Sequence, residues 1–313
     1  MSKKILVTGA KGLVGSAIRR QVESRGTPHR WFFCERRHGD LTDPRAVETL
    51  FDSVRPDYVI HTAAKVGGIG GNMAGHADYF YDNVLMNTNV IHECHCHGVE
   101  KLLAFSSVCV FPDDVAILRE DVMHDGPPFS GNFAYAHTKR MVDVQIRAYK
   151  SQYGHVNWCS IIPGNIYGTH DLYNLTHGHV MPSLIHKMFV AIRDHQDVFP
   201  VWGDGQSLRE FVFSDDLADV LVQLLERDLV PERLIVSGFR QHSIAELVSI
   251  LVQCAGFKGR VEYDHTKPNG QRNRQSDHSL FKTLFPDFRH TDFQDGVSIA
   301  YRWFADNYPN VRL

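Results

Sequence analysis

Through the first half of the chain, short apolar runs alternate with longer segments in which apolar residues recur every three or four positions. The runs Lys4–Thr8, Arg30–Phe33, Tyr58–His61, Leu102–Phe105 and Asn157–Ile162 predict strands. The segments Leu13–Ser24, Arg45–Ser53, Tyr79–His97 and Tyr135–Tyr153 predict helices. Strands separated by such helices imply right-handed βαβ units and a parallel sheet. The runs are apolar throughout, as in a sheet covered by helices on both faces.

Beyond Pro163 the rhythm loosens. Tyr167–His179 is rich in Gly, His, Asn and Asp and reads as a loop. Met181–Arg193 predicts a helix with Pro182 in its first turn. Val201–Trp202, Glu210–Phe213, Leu234–Ser237 and Arg260–Tyr263 predict strands, and Asp215–Leu225 and Gln294–Asn307 predict helices. Ser243 and Glu246 have the spacing of a capping box. The expected fold is α/β: a Rossmann-type doubly wound parallel sheet with a smaller C-terminal α/β substrate lobe. Residues 1–165 form the first domain, with a stretch at about 210–240 returning to it. Residues 166–313 form mainly the second lobe.

Composition narrows the class without naming a reaction. The formal net charge of −3 offers no general attraction to nucleic acid or to an anionic membrane. No run is long enough to span a bilayer, and no apolar signal core follows the first lysines, so a cytoplasmic location is expected. The six cysteines show no disulfide framework.

The first strand runs into Gly9-Ala10-Lys11-Gly12-Leu13-Val14-Gly15. Glycines at this spacing let the backbone turn tightly and approach a pyrophosphate, which the helix N-terminus then binds. The second strand ends twenty residues past Gly15, at Glu35. A carboxylate there suits a ribose diol and NAD, whereas Lys11, Arg36 and Arg37 suit a 2′-phosphate and NADP(H). Three cations around one carboxylate favour NADP(H). Asp40 stands where a loop could reach the adenine, and Ala63-Ala64-Lys65 follows the third strand at its carboxyl end.

Tyr135 and Lys139 are four residues apart, on one helix face, and Ser107 lies just past the preceding strand. A free phenol titrates near ~10. A neighbouring ammonium and a nicotinium charge are both expected to lower that value and ready the phenol for proton exchange with a carbonyl oxygen. A serine hydroxyl supplies a second hydrogen bond to the same oxygen.

These residues sit in Ala63-Ala64-Lys65-Val66-Gly67-Gly68-Ile69, Ser106-Ser107-Val108-Cys109-Val110-Phe111-Pro112, and Asn132-Phe133-Ala134-Tyr135 with Lys139-Arg140-Met141. With Gly178-His179-Val180-Met181-Pro182, Trp202-Gly203 and Arg209-Glu210-Phe211, they make the chain resemble the extended short-chain dehydrogenase/reductase family over nearly its whole length. Within that family the resemblance is to epimerase-reductases of GDP-4-keto-6-deoxy sugars. It implies NADP(H), a GDP-sugar substrate, and a homodimer paired through residues 79–97 and 135–153. It implies Cys109 as the base and His179 as the acid of an epimerisation, with Pro163 and His179 also beside the cofactor. Lys187 and Arg209 match positions that contact phosphate, Asn165 and Trp202 are candidate sugar-nucleotide contacts, and Lys267 opens a loop, Lys267–Arg274, that resembles one closing over the substrate.

A sugar 4,6-dehydratase of this fold would carry an acid pair where this chain has Val108-Cys109. A plain 4-epimerase would need neither Cys109 nor His179. Two readings stay open: an epimerase-reductase for a related GDP sugar such as a deoxyheptose, and a non-catalytic NADPH-binding regulator, against which the presence of both Tyr135 and Lys139 counts. His92-Glu93-Cys94-His95-Cys96-His97 invites a metal site, but on a helix only pairs such as His92 and Cys96 share a face, so no metal is expected.

Overall fold

The computed structural model describes residues 2–68, 75–176, 178–267 and 274–313. Ile69 and residues 268–273 of the expected substrate loop lie outside the described residues. The first strands are β1 (Lys4–Thr8), β2 (Arg30–Phe33), β3 (Tyr58–His61) and β4 (Lys101–Phe105). The short β5 (Ile117–Leu118) precedes β6 (Trp158–Pro163) and β7 (Asn165–Tyr167). Then come β8 (Val198–Trp202), β9 (Leu208–Phe213), β10 (Arg233–Val236), β11 (Gln241–Ser243), β12 (Arg260–Asp264) and β13 (Gln275–Ser276).

Six of these strands form one parallel sheet in the order β10-β6-β4-β3-β1-β2. The strand order reverses at β1, which lies between β2 and β3. In open α/β sheets the crevice at such a switch point, outside the strands' carboxyl ends, is where ligands bind. The fully buried β3, β4 and β6 explain the continuous apolar runs. Leu13–Arg25, Ser214–Glu226 and Ser279–Leu284 pack on one face of the sheet. Pro44–Val54, His76–Cys96 and Phe133–Tyr153 pack on the other.

The second lobe has its own core. Val180–Arg193, Ile244–Ala255 and Phe293–Asn307 surround Tyr167, Phe199, Phe211 and Phe213. β9 pairs with β7 and β11 in a separate three-stranded sheet, and β8 pairs with β12. After β9 the chain returns through Ser214–Glu226 to β10 at the edge of the main sheet. β9 therefore runs along the seam between the lobes.

Local chemistry sets the element ends. The Asp43 carboxylate accepts the Arg45 N–H, and Pro44 occupies the first helical position, where a missing N–H does no harm. Ser243 caps its helix by accepting the Glu246 N–H. The Glu246 carboxylate, expected to complete the box, turns instead to the Arg240 guanidinium at 2.9 Å and the His242 ring at 3.0 Å, because a charged partner holds it more strongly than one backbone N–H.

Candidate active site

Gly9 has φ +70°, and a Cβ added there would lie 2.7 Å from Thr62 Oγ1 and 2.8 Å from Ala63 N. The turns after β1 and β3 therefore touch across the crevice, with Ala63, Ala64 and Lys65 beside the glycine turn. A Cβ on Gly15 would lie 2.4 Å from Gly9 O, so only glycine lets the helix begin this close to the strand. Gly12 is the N-cap of Leu13–Arg25 and contributes no capping side chain, and the first turn carries no acid. Its N–H groups can meet a pyrophosphate. The cradle fits a dinucleotide.

The loop after β3 is held by a residue the sequence reading did not single out. Asn83, fully buried, accepts the Lys65 N–H at 3.0 Å and donates to Lys65 O at 2.9 Å. The Lys65 ammonium pairs with Asp82 at 2.7 Å, so it is the backbone of Lys65 that faces the crevice turn. Below, Thr8 Oγ1 meets His61 Nδ1 at 2.8 Å and His61 Nε2 meets Asn87 Oδ1 at 3.1 Å. Burial pushes His61 down to about 3, so it is a neutral strut. Buried asparagines at 83 and 87, one helical turn apart in Tyr79–His97, were the available signal.

At the end of β2, Glu35 pairs with Lys11 at 3.1 Å and Arg37 at 3.3 Å. Arg36 lies beside them, and its charge helps hold Asp40 low, after the hydrogen bonds from Thr42. The Asp40 carboxylate is occupied by the Thr42 N–H and hydroxyl.

The catalytic candidates converge at the carboxyl ends of β4 and β6. Ser107 N-caps a single turn, Val108–Val110, its Oγ accepting the Cys109 N–H at 3.3 Å. This turn is locked to Phe133–Tyr153, where Arg140 Nε donates to Val110 O at 2.6 Å. Lys139, 2 % exposed, donates from Nζ to Phe105 O at 2.9 Å and lies 5.9 Å from the centre of the Tyr135 ring. Ser107, Cys109 and Tyr135 are half-buried, lining an open cleft. Burial raises the Tyr135 phenol, and the neighbouring Cys109 and Tyr79 add to this. Burial also lowers Lys139 to about 8. Desolvation in this setting keeps Tyr135 a neutral proton donor.

Cys109 lies within electrostatic reach of two guanidiniums. Negative charge on Cys109 favours the cations of Arg209 and Arg274, both of which burial otherwise lowers. Arg274 also donates to Pro112 O at 3.1 Å, over the turn that carries Cys109. The sequence reading placed Arg274 in a loop without giving it a role.

Pro163 ends β6 and is buried, and Asn165 Nδ2 donates to Glu210 O at 3.1 Å across the β7–β9 pair. His179 is the N-cap of Val180–Arg193 and is open to solvent, although the packed atoms around its ring lower its basicity. Lys187 and Lys267 both approach the Trp202 ring, at 4.9 and 5.7 Å from its centre. Trp202 is 59 % exposed, so two cations frame an open aromatic face. In the histidine-rich helix, His92 and Cys96 approach at 3.6 Å, while His95 turns away to His155 at 2.9 Å. Among the described residues no group of three or more His, Cys, Asp or Glu is arranged to hold a metal ion. No helix among them is long and apolar enough to cross a membrane.

The chain belongs to the NAD dependent epimerase/dehydratase family, whose model matches residues 5–237. Among curated proteins, it is 37 % identical to the GDP-L-fucose synthase of Dictyostelium discoideum over 99 % of this chain and 98 % of that protein. Among solved structures, it superposes on the GDP-L-fucose synthetase of Naegleria fowleri bound to NADP with a TM-score of 0.94 at 34 % identity, covering 99 % of this chain and 95 % of that one. A GDP-mannoheptose C4 reductase from Campylobacter jejuni with NADP bound is more distant, at 26 % identity and a TM-score of 0.85 over 97 % of this chain and 98 % of that one.

Proposed function

We propose that this chain converts GDP-4-keto-6-deoxy-D-mannose to GDP-L-fucose by 3,5-epimerisation followed by NADPH-dependent 4-reduction. The observation that carries this reading is one site holding a Ser–Tyr–Lys set and, two residues from the serine, a thiol whose turn Arg274 crosses with a hydrogen bond to Pro112 O. Full-length likeness to GDP-L-fucose synthases supports it.

The chain's own residues divide the work. Ser107 and Tyr135 hydrogen-bond the C4 oxygen and stabilise the enolate while a neighbouring carbon inverts. In each inversion the Cys109 thiolate takes the proton, first from C3 and then from C5; between the two the thiol gives that proton to solvent and His179 regains one from it. The His179 imidazolium returns a proton to the opposite face. For reduction, a nicotinamide cofactor held by the glycine turn at residues 9–15 and Lys139 would supply the hydride for C4. Tyr135 gives its proton to the C4 oxygen, closing the alcohol, and Lys139 stabilises the phenolate left behind. Arg209, Lys187 and Lys267 supply positive charge for the diphosphate, and Trp202 and Asn165 complete the sugar-nucleotide contacts. The Rossmann part, residues 1–165 with a return at about 210–240, holds the cofactor, and residues 166–313 mainly hold the sugar nucleotide. We place the enzyme in the cytoplasm as a homodimer. Phe80, Tyr81, Phe133, Met141, Val144 and Tyr153, all exposed, lie on the two adjacent helices His76–Cys96 and Phe133–Tyr153 and support that pairing.

Incubation with the keto sugar and NADPH in D₂O tests the reading, with GDP-L-fucose labelled at C3 and C5 as the expected product. Tyr135→Phe is expected to block reduction while label still enters, and Cys109→Ser to suppress the labelling. Turnover of a GDP-heptose but not of this substrate would overturn the assignment.

A further inference from the structure

Glu35 occupies the position at the end of the second strand where dinucleotide-binding folds place an acid to accept the ribose 2′-hydroxyl. Here that acid is already engaged. Lys11 Nζ and Arg37 Nε lie 3.1 and 3.3 Å from Oε2, and Arg19 Nη2 lies 3.9 Å from Oε1. The Arg19 guanidinium rests 4.1 Å from the centre of the Phe33 ring, which fixes it beneath the cluster. The Glu35 side chain is 13 % exposed, whereas those of Lys11 and Arg37 are 77 and 74 % exposed. The acid is thus the enclosed member and the two outer cations are the movable ones. The carboxylate also accepts the His38 backbone N–H, while its own backbone N–H donates to His38 Nδ1 at 2.8 Å.

A ribose diol needs a free acceptor, and a 2′-phosphate needs free cations. This cluster contains both, each occupied by the other. A 2′-phosphate must draw Lys11 and Arg37 off Glu35 and then sits near the uncovered carboxylate. A diol must draw Glu35 off the cations. Resting on the nicotinamide-cofactor reading above, we propose that Glu35 is a specificity-determining residue that narrows the preference for NADPH and lets the enzyme use NADH as well. It does so by giving the diol an acceptor and withholding Lys11 and Arg37 from the phosphate.

Direct binding to the full-length protein tests this, using 2′,5′-ADP as the phosphate probe and 5′-AMP as the diol probe, beside the NADPH and NADH kinetics. Glu35→Gln keeps an oxygen for the His38 N–H and removes only the charge. It is expected to tighten 2′,5′-ADP about tenfold, to weaken 5′-AMP severalfold, and to raise the NADPH-to-NADH ratio of kcat/KM by about tenfold or more. Lys11→Gln is expected to weaken 2′,5′-ADP and, by freeing an oxygen of Glu35, to tighten 5′-AMP modestly. If Glu35→Gln weakens 2′,5′-ADP as Lys11→Gln does, Glu35 orders the cations for the phosphate and the inference is wrong. The native protein gives an arm that needs no variant: discrimination against NADH beyond about a thousandfold also overturns it. Failure of both probes to bind the native protein would instead sink the cofactor reading itself.

Discussion

Lys139 shows how burial prepares a residue for its step. Enclosed beside the sheet, it loses solvation and falls to about 8, yet below that pH it still carries its charge. The sign follows: a lysine with a lowered pKa keeps its proton on the acid side and loses it as pH rises through about 8. In the proposed reaction this charge would serve both the nicotinamide ribose and the Tyr135 phenolate formed in reduction. kcat/KM for NADPH, which reports the free enzyme, is therefore expected to be level near neutral pH and to fall above pH 8. A profile level to pH 10 would remove Lys139 from this role. Gly15 makes a complementary case, in which the absence of a side chain is the function. Gly15→Ala puts a Cβ 2.4 Å from Gly9 O and 2.6 Å from Ala10 Cα, both backbone atoms that must shift. NADPH affinity, read by fluorescence titration, is expected to fall by about tenfold or more.

At the scale of elements, the seam strand β9 ties the two lobes to one site. Arg209 lies on this strand, and its neighbour Glu210, 6 % exposed, accepts the Ser276 N–H at 2.9 Å and the Ser237 hydroxyl at 3.1 Å. Ser276 belongs to β13, the short strand that follows Arg274, and β13 is also stitched to β5. Glu210 is thus a positioning residue for Arg274. Glu210→Ala leaves a buried N–H unpaired, at about 1–3 kcal/mol of stability. It is expected to raise KM for the sugar nucleotide more than it lowers kcat, whereas Glu210→Gln, which keeps an acceptor, is expected to restore KM. Equal kinetics for both variants would leave Glu210 a packing residue only. None of this was legible in the sequence, because β5, β13 and the Ser276 contact depend on segments far apart in the chain. What was legible were elements whose period is local: β1 to β4, the glycine turn, and Tyr135 with Lys139 on one turn of helix. Glu246 marks the limit, since its Ser243 spacing was visible but its competing partners Arg240 and His242 were not.

At the scale of the molecule, the sheet can be derived from alternation alone, whereas the surface proposed to pair two copies cannot. His76–Cys96 and Phe133–Tyr153 each run 21 residues, about 30 Å, and pack side by side on one face of the sheet. Their inward residues, among them Val90, Ile91, Val142 and Ile146, are fully buried. Their outward residues include Met141 and Val144, 40 and 51 % exposed. A lone soluble domain rarely leaves a contiguous apolar stripe on paired helices uncovered. A second copy related by a two-fold axis would cover it with the same stripe, making four helices packed as a bundle. Such a contact is isologous, so one substitution places two like charges in the interface at once. The double variant Met141→Glu, Val144→Glu is therefore expected to sediment as a monomer at micromolar concentration where the native chain sediments as a dimer. Both helices begin beside the cleft, and Tyr135 sits in the first turn of one of them. Loss of the partner is expected to loosen that turn and lower kcat while the sheet stays folded by circular dichroism. A native chain that sediments as a monomer, or a charged variant that remains a dimer, would move the interface elsewhere and leave the stripe without a partner.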